Sequence, residues 1–334
     1  MLLDALERPL VLGPMAGGPG TPELAAAVSD AGGLGFLPAG YRSAAELGER
    51  IARYRALTAA PFGVNLFLPG PDRAPDLTDY RARLVPEARA LGVEPGEPRW
   101  SDDEWPAKLA LLLDDPVPVV STTFGCPPAD AVRALRGVGS VVIATVTTPD
   151  EADEAAAAGV DALCVQGTEA GGHQASFDND EVRTIPLLDL LAQVRNRVPL
   201  PLVAAGGIMR AEHLRAVLDA GAVAGQAGTA FLRCPEAGTR PAHRDALVEL
   251  TDTAVTRAFS GRWARGLVNR FLTDHDAAAP AAYPHVHYMT APLRATGAVD
   301  VLNLWAGTRH GLARERPAAE VVAELTAEPG DHSA

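Results

Sequence analysis

A single lysine, Lys108, serves the whole chain of 334 residues. With no GxxxxGK[ST] anywhere, a P-loop nucleotidase is excluded, and a Schiff-base or pyridoxal-phosphate enzyme would have to use Lys108 itself. That residue stands in Asp102-Asp103-Glu104-Trp105-Pro106-Ala107-Lys108-Leu109-Ala110, which reads as the first turns of a helix. Cysteine is nearly as scarce. Cys126, Cys164 and Cys234 are odd in number and far apart, which suits neither a disulfide framework nor a CxxC metal site, so they read as small, mostly buried thiols. No apolar run is long enough to span a bilayer. The start, Met1-Leu2-Leu3-Asp4-Ala5-Leu6-Glu7-Arg8-Pro9, carries acids where a signal peptide needs a basic segment, so a cytoplasmic location and no membrane partner are expected. Basic clusters are also missing. A net charge of −13 repels a phosphate backbone, and nucleic acid is not expected as a partner.

What is present suits a large soluble core: 47% of the residues are hydrophobic and 21% charged. From residue 10 to about 232, short apolar or β-branched runs alternate with Ala/Leu-rich segments of helical period, as in repeated βα units. Strands are expected at 10–17, 34–40, 62–68, 117–123, 141–147, 162–166, 200–205 and 223–229. Helix starts are marked by Thr21-Pro22-Glu23, Ser43-Ala44-Ala45-Glu46, Pro149-Asp150-Glu151 and Thr184-Ile185-Pro186, and helix ends by Gly32, Gly159 and Gly221. Eight nearly continuous apolar strands favour a closed (β/α)₈ TIM barrel over an open doubly wound sheet, giving an α/β fold with the barrel in residues 1–235. Residues 70–101 insert a polar helix (about 77–91), residues 236–312 form a cap or substrate lid over the barrel mouth, and residues 313–334 end the chain in a helix docked on the barrel and a frayed tail from 330.

In such a barrel the chemistry sits at the C-terminal ends of the strands. Six ends carry unusual residues: Pro14-Met15-Ala16-Gly17-Gly18, Asn65, Thr145, Gln166 running into Glu169-Ala170-Gly171-Gly172-His173, Ala205-Gly206-Gly207-Ile208, and Gln226-Ala227-Gly228-Thr229. Glycines after the last two strands let backbone amides approach a phosphate, and Thr229 adds a hydroxyl; alternatively Gly206, Gly207 and Gly228 only make tight turns. Asn65 and Gln166 each offer a donor and an acceptor, as the pyrimidine edge of a flavin requires, or satisfy local backbone groups. Ala16 and Gly17 leave room for a planar ring. His173, placed after two glycines at a strand end, is a candidate for proton transfer. His285 and His287 form an HxH without further ligands, so they are read as surface or lid residues and no metal is expected.

Together, Pro14-Met15-Ala16-Gly17, Gly63-Val64-Asn65, Val165-Gln166-Gly167-Thr168-Glu169-Ala170-Gly171-Gly172-His173, Ala204-Ala205-Gly206-Gly207-Ile208 and Gln226-Ala227-Gly228-Thr229-Ala230-Phe231 resemble the motifs of the nitronate monooxygenase family. Ala258-Phe259-Ser260-Gly261-Arg262 and Leu304-Trp305-Ala306-Gly307 are similar to its C-terminal segments. The resemblance implies FMN, bound by Asn65, Gln166, Gly171, Gly207 and Gln226 through Thr229, with Ala16, Gly17, Gly172 and Gly206 beside it. It also implies His173 as the base, nitroalkanes or alkyl nitronates and O₂ as partners, and carbonyl compounds and nitrite as products. Some members carry a lysine on the fifth strand, where this chain has Thr145, and the family often has a basic residue and glycine after the histidine, where this chain has Gln174-Ala175. An FMN-dependent NAD(P)H oxidoreductase of the enoyl-acyl-carrier-protein reductase type and a flavin-binding protein without turnover are the alternatives.

Overall fold

A computed structural model describes residues 3, 6–72 and 75–328; the tail expected to fray lies outside them. Among the described residues there are eleven strands: β1 (Leu10–Leu12), β2 (Gly35–Pro38), β3 (Phe62–Phe67), β4 (Val119–Thr123), β5 (Val141–Val146), β6 (Ala162–Gln166), β7 (Gly172–His173), β8 (Leu202–Ala205), β9 (Ala224–Ala227), β10 (Thr253–Thr256) and β11 (Ala264–Leu267). Eight of them form one parallel sheet in the order β1-β9-β8-β6-β5-β4-β3-β2. A parallel bridge between Val11 and Leu34 brings its ends together, with Leu12 N donating to Leu34 O and Leu34 N to Leu10 O, both at 2.9 Å. This is the TIM-barrel architecture.

Strand periodicity explains how the barrel is filled. Alternate residues point outward, where Leu12, Leu37, Val64, Val120, Val142, Leu163 and Leu202 pack against the surrounding helices. Between them, Val11, Phe36, Val119, Ile143, Cys164, Val203 and Ala224 fill the interior. The Phe36 ring occupies the place of a side chain on β3: a Cβ at Gly63 would lie 2.3 Å from it. Two positions further along, the same inward register holds Asn65, Ser121, Thr145, Gln166 and Gln226. The interior thus changes from apolar to polar at the C-terminal mouth.

The strands are shorter than their apolar runs. The expected strand at 10–17 ends at Leu12: Pro14 has no amide to continue the ladder, and the chain then turns through Gly17 (φ +82°) and Gly18 (φ +139°). The one at 223–229 ends at Ala227 and passes into a 3₁₀ turn, Thr229–Phe231. Thr21, Ser43 and Thr148 cap their helices through their side-chain oxygens, Ser43 in a reciprocal box with Glu46. Thr184 does not. The helix Leu187–Arg195 begins after Pro186, and the Leu187 amide donates to the Glu169 carboxylate at 3.0 and 3.2 Å, so a distant acid replaces the local cap.

Two insertions complete the molecule. Between β3 and β4 the helix Thr78–Ala90 precedes the helix Trp105–Asp114, which carries Lys108. The lysine is 1% exposed; its Nζ donates to Ala39 O at 3.0 Å and pairs with Asp103 at 2.7 Å, while Asp103 accepts the Tyr41 amide at 2.8 Å. It fastens the loop after β2. Beyond β9 come the helix Pro241–Glu249, the β10–β11 hairpin and the helices Arg270–His275 and His285–Ala295, which share a second apolar core with Thr78–Ala90. β11 also pairs with β7, Ala264 opposite His173, so the C-terminal region is stitched to the barrel at that histidine. The helix Ala318–Leu325 packs back against Pro22–Asp30 and Ala211–Asp219. Among the described residues, no helix is long and apolar enough to cross a membrane.

Candidate active site

A cavity of about 460 Å³ opens at the C-terminal mouth, within the size range of cofactor sites. Ala16, Gly17, Asn65, Thr145, Gln166, Gly171, Gly172, His173, Gly206, Gly207, Gln226, Ala227, Gly228 and Thr229 all line it. Gln174 does not. Its amide exchanges hydrogen bonds with the Arg183 backbone at 2.7 and 2.9 Å, away from the cavity.

Asn65 is 2% exposed, and its Nδ2 donates to Ser121 Oγ and Thr123 Oγ1, both at 2.9 Å. Gln166 spends both ends of its amide on the following loop: Nε2 donates to His173 O at 3.1 Å, and Oε1 accepts the Ala175 amide at 2.8 Å. It therefore sets the height of His173 above the sheet. After β8, Gly206 (φ +130°) and Gly207 (φ +67°) turn the chain at a conformation that side chains disfavour. Thr229 Oγ1 accepts the Gly307 amide at 3.0 Å, which leaves its hydroxyl hydrogen free to donate.

His173 is held through one ring nitrogen. Its Nε2 lies 2.8 Å from Ser260 Oγ, which is also 3.1 Å from Arg262 O. With the serine hydroxyl donating to that carbonyl, its oxygen accepts from Nε2–H and Nδ1 keeps the lone pair. Among the described residues Nδ1 has no partner. Phe124, Tyr283 and Trp305 surround the imidazole at centroid distances of 5.5, 5.9 and 5.5 Å. Burial, then Arg262 and Arg294, push its pKa down to about 3 from the ordinary 6.5, so the ring is neutral at physiological pH.

Neither of those arginines has a carboxylate within ion-pairing distance among the described residues. Arg262 lies over the Phe124 ring at 4.1 Å and donates to the carbonyl of Ser176. Arg294, on the cavity wall, donates to Thr290 Oγ1 at 3.1 Å and to His287 O at 2.8 Å. Burial lowers the pKa of each to about 10, which leaves both charged. The hollow around His173 is electropositive.

Of the reading of His285 and His287 as surface or lid residues, the surface alternative is corrected. His285 is buried, and His287 lines the cavity stacked flat on Tyr41 at 4.0 Å, because Val286, Met289 and Leu293 of the same helix insert into the second core. Sequence reasoning missed Tyr41, Arg294 and Arg309 as lining residues and Ser260 as the partner of His173, although Ser260 and Trp305 lie in segments carried by the family resemblance. Among the described residues no group of three or more His, Cys, Asp or Glu could hold a metal ion.

The family model for nitronate monooxygenase matches residues 1–328. The chain belongs to the nitronate monooxygenase family. It is therefore an oxidoreductase of a typically flavin-dependent group. A nitronate monooxygenase of Pseudomonas aeruginosa is 44% identical, with 98% of this chain and 97% of that protein aligned. Among solved structures, the nitroalkane oxidase of Streptomyces ansochromogenes superposes with a TM-score of 0.95 at 49% identity, covering 97% of this chain and 96% of its own. FabK from Thermotoga maritima has the same architecture at a TM-score of 0.75 and 28% identity, over 97% of this chain and 94% of its own.

Proposed function

We propose that this nitronate monooxygenase homologue binds FMN in the mouth cavity and oxidises nitroalkanes or their nitronates with O₂ to carbonyl compounds and nitrite. FMN, when bound, supplies the redox chemistry, accepting electrons from the organic substrate and passing them to O₂. The residues suit that cofactor: neutral amides and hydroxyls at the ends of β3, β5, β6 and β9, and glycines after β8 and β9 where a phosphate needs close amide approach. No adenosine-binding fingerprint is present, which favours FMN over FAD.

The observation that carries the reading is the His173 imidazole on the cavity wall, neutral, its Nε2 engaged by Ser260 and its Nδ1 without a partner among the described residues. Such a nitrogen accepts the α-proton of a neutral nitroalkane. Arg262 and Arg294 then stabilise the developing nitronate, while Phe124, Tyr283 and Trp305 keep water off the ring. Tyr41 is pushed up to about 12 and Tyr283 is also raised well above the ordinary phenol range, mainly by burial, so both phenols stay protonated and add no negative charge.

The purified protein should be yellow and release FMN on denaturation. Its flavin should be bleached anaerobically by a nitronate and not by NADPH. Bleaching by NADPH alone would instead identify an NAD(P)H oxidoreductase, and a spectrum unmoved by any donor would leave a flavin-binding protein without turnover.

A further inference from the structure

The glycines after β8 and β9 provide amides but no charge, whereas the phosphate monoester of a flavin carries about −1.5 to −2 at pH 7. Helix-terminus dipoles offset only part of this. No lysine is available to complete the neutralisation, since Lys108 is buried against Ala39 and Asp103. Among the described residues the cavity wall contains one guanidinium at the β8 end, that of Arg309.

Its position is fixed from both sides. The strap from Trp305 to Arg309 crosses the mouth and is pinned by the Trp305–Gly266 bridge, by Gly307 N on Thr229 Oγ1 at 3.0 Å and by Thr308 N on Glu169 O at 3.1 Å. Arg309 Nη1 donates to Gly207 O at 2.9 Å. A Cβ on Gly207 would lie 2.4 Å from that nitrogen, so the absent side chain is what admits the guanidinium. Its other N–H groups have no partner, and no carboxylate lies within ion-pairing distance, among the described residues. The remaining wall arginines, Arg240 and Arg294, are joined to each other by Arg240 Nη1 on Arg294 O, on the far side near Tyr41 and His287.

We propose that Arg309 clamps the flavin phosphate, closing from the C-terminal strap a pocket whose other walls are the Gly206-Gly207 turn and Gly228-Thr229, and that it selects FMN over riboflavin. This rests on the FMN reading above. Its guanidinium presents a planar fork of donors to the phosphate oxygens, while Nη1 remains tied to Gly207.

The test is flavin exchange on the holoenzyme. Protein carrying FMN is equilibrated with graded riboflavin, and the bound flavins are separated and quantified, giving an exchange constant from which contacts to the shared ring system cancel. Arg309→Gln should lower the preference for FMN by about 10–100-fold, as expected for loss of a charge-assisted contact, with riboflavin affinity unchanged. Arg309→Lys should restore part of the preference, and added salt should erode it in wild type more than in Arg309→Gln. An unchanged exchange constant in Arg309→Gln, or equal losses for both flavins, would overturn the clamp while leaving FMN in place. A wild-type protein that holds no flavin would overturn the FMN reading itself.

Discussion

Replacing His173 by asparagine removes the imidazole nitrogen proposed as the base, Nδ1, which has no partner among the described residues. In the substrate-free site the pKa of His173 falls from 6.5 to about 3, which at 1.36 kcal/mol per unit disfavours the imidazolium by about 5 kcal/mol. A nitronate anion about 4 Å away returns about 4 kcal/mol at an effective dielectric of about 20. The two nearly cancel, so the ring takes the α-proton only as the anion forms beside it. General-base catalysis is worth typically ~10²–10⁴-fold, and His173→Asn should lower kcat/KM for a neutral nitroalkane by about that factor. A pre-formed nitronate has already lost the proton and should be affected much less. Ser260→Ala removes the hydroxyl that holds Nε2; loss of one neutral hydrogen bond, about 0.5–1.5 kcal/mol, predicts a decrease of roughly 2–12-fold, again for the neutral substrate. With the depressed pKa, protonation of free-enzyme His173 should cause no loss between pH 7 and 5. The assay compares kcat/KM for freshly dissolved nitroalkane and for nitronate in wild type and both variants, with flavin content checked. Equal losses for the two substrate forms in His173→Asn would refute the base assignment and leave a binding group, and no loss in either would leave a structural residue.

Gly207→Val should reduce FMN retention through dialysis while the barrel stays folded, because the new side chain at φ +67° collides with Arg309 and blocks close amide approach; stoichiometric retention would place the phosphate elsewhere. His243, with its pKa pushed down to about 4 by burial, should make the protein acid-labile: below pH 6.5 the unfolded chain binds the proton and the folded one does not, so stability present above 6.5 falls by up to about 1.4 kcal/mol per unit down to pH 4. Denaturant unfolding in excess FMN should therefore show His243→Gln losing about 2 kcal/mol less than wild type between pH 7 and 5, and parallel losses would contradict the burial argument.

The barrel is legible in the sequence because its strands are short, nearly continuous apolar runs separated by segments of helical period, and the residues two positions beyond the interior layer are the polar strand ends that line the mouth. Strand ends were overextended where apolar letters continue into glycine turns, as at 13–17, since composition does not reveal a positive φ. Thr184 misled for a different reason. The capping rule is local, and the acceptor used by Leu187 belongs to Glu169, which only the fold brings near. The same limit hid Ser260, Arg294 and Arg309, whose positions depend on a hairpin joined to a two-residue strand, on a helix seated in a second core, and on a strap without periodicity.

That division in legibility coincides with a division of chemistry. The barrel strands and their loops line the cavity with amides, hydroxyls and glycines together with the neutral His173, whereas each of its arginines, Arg240, Arg294 and Arg309, comes from the region beyond β9. Among the described residues no carboxylate and no lysine joins them on the wall. In a chain of net charge −13, a cavity whose fixed charges among the described residues are all positive concentrates anions locally against the field of the whole protein. The barrel therefore suits holding a neutral ring in register, and the C-terminal segments suit binding what is negative, the phosphate at the β8 end and the nitronate beside Arg294. Substitutions in the C-terminal segments should tune anion affinity with the barrel intact. Substitutions of Asn65 or Gln166 should instead displace the ring or the His173 loop, because their amides are already committed to Ser121, Thr123 and the backbone of residues 173–175.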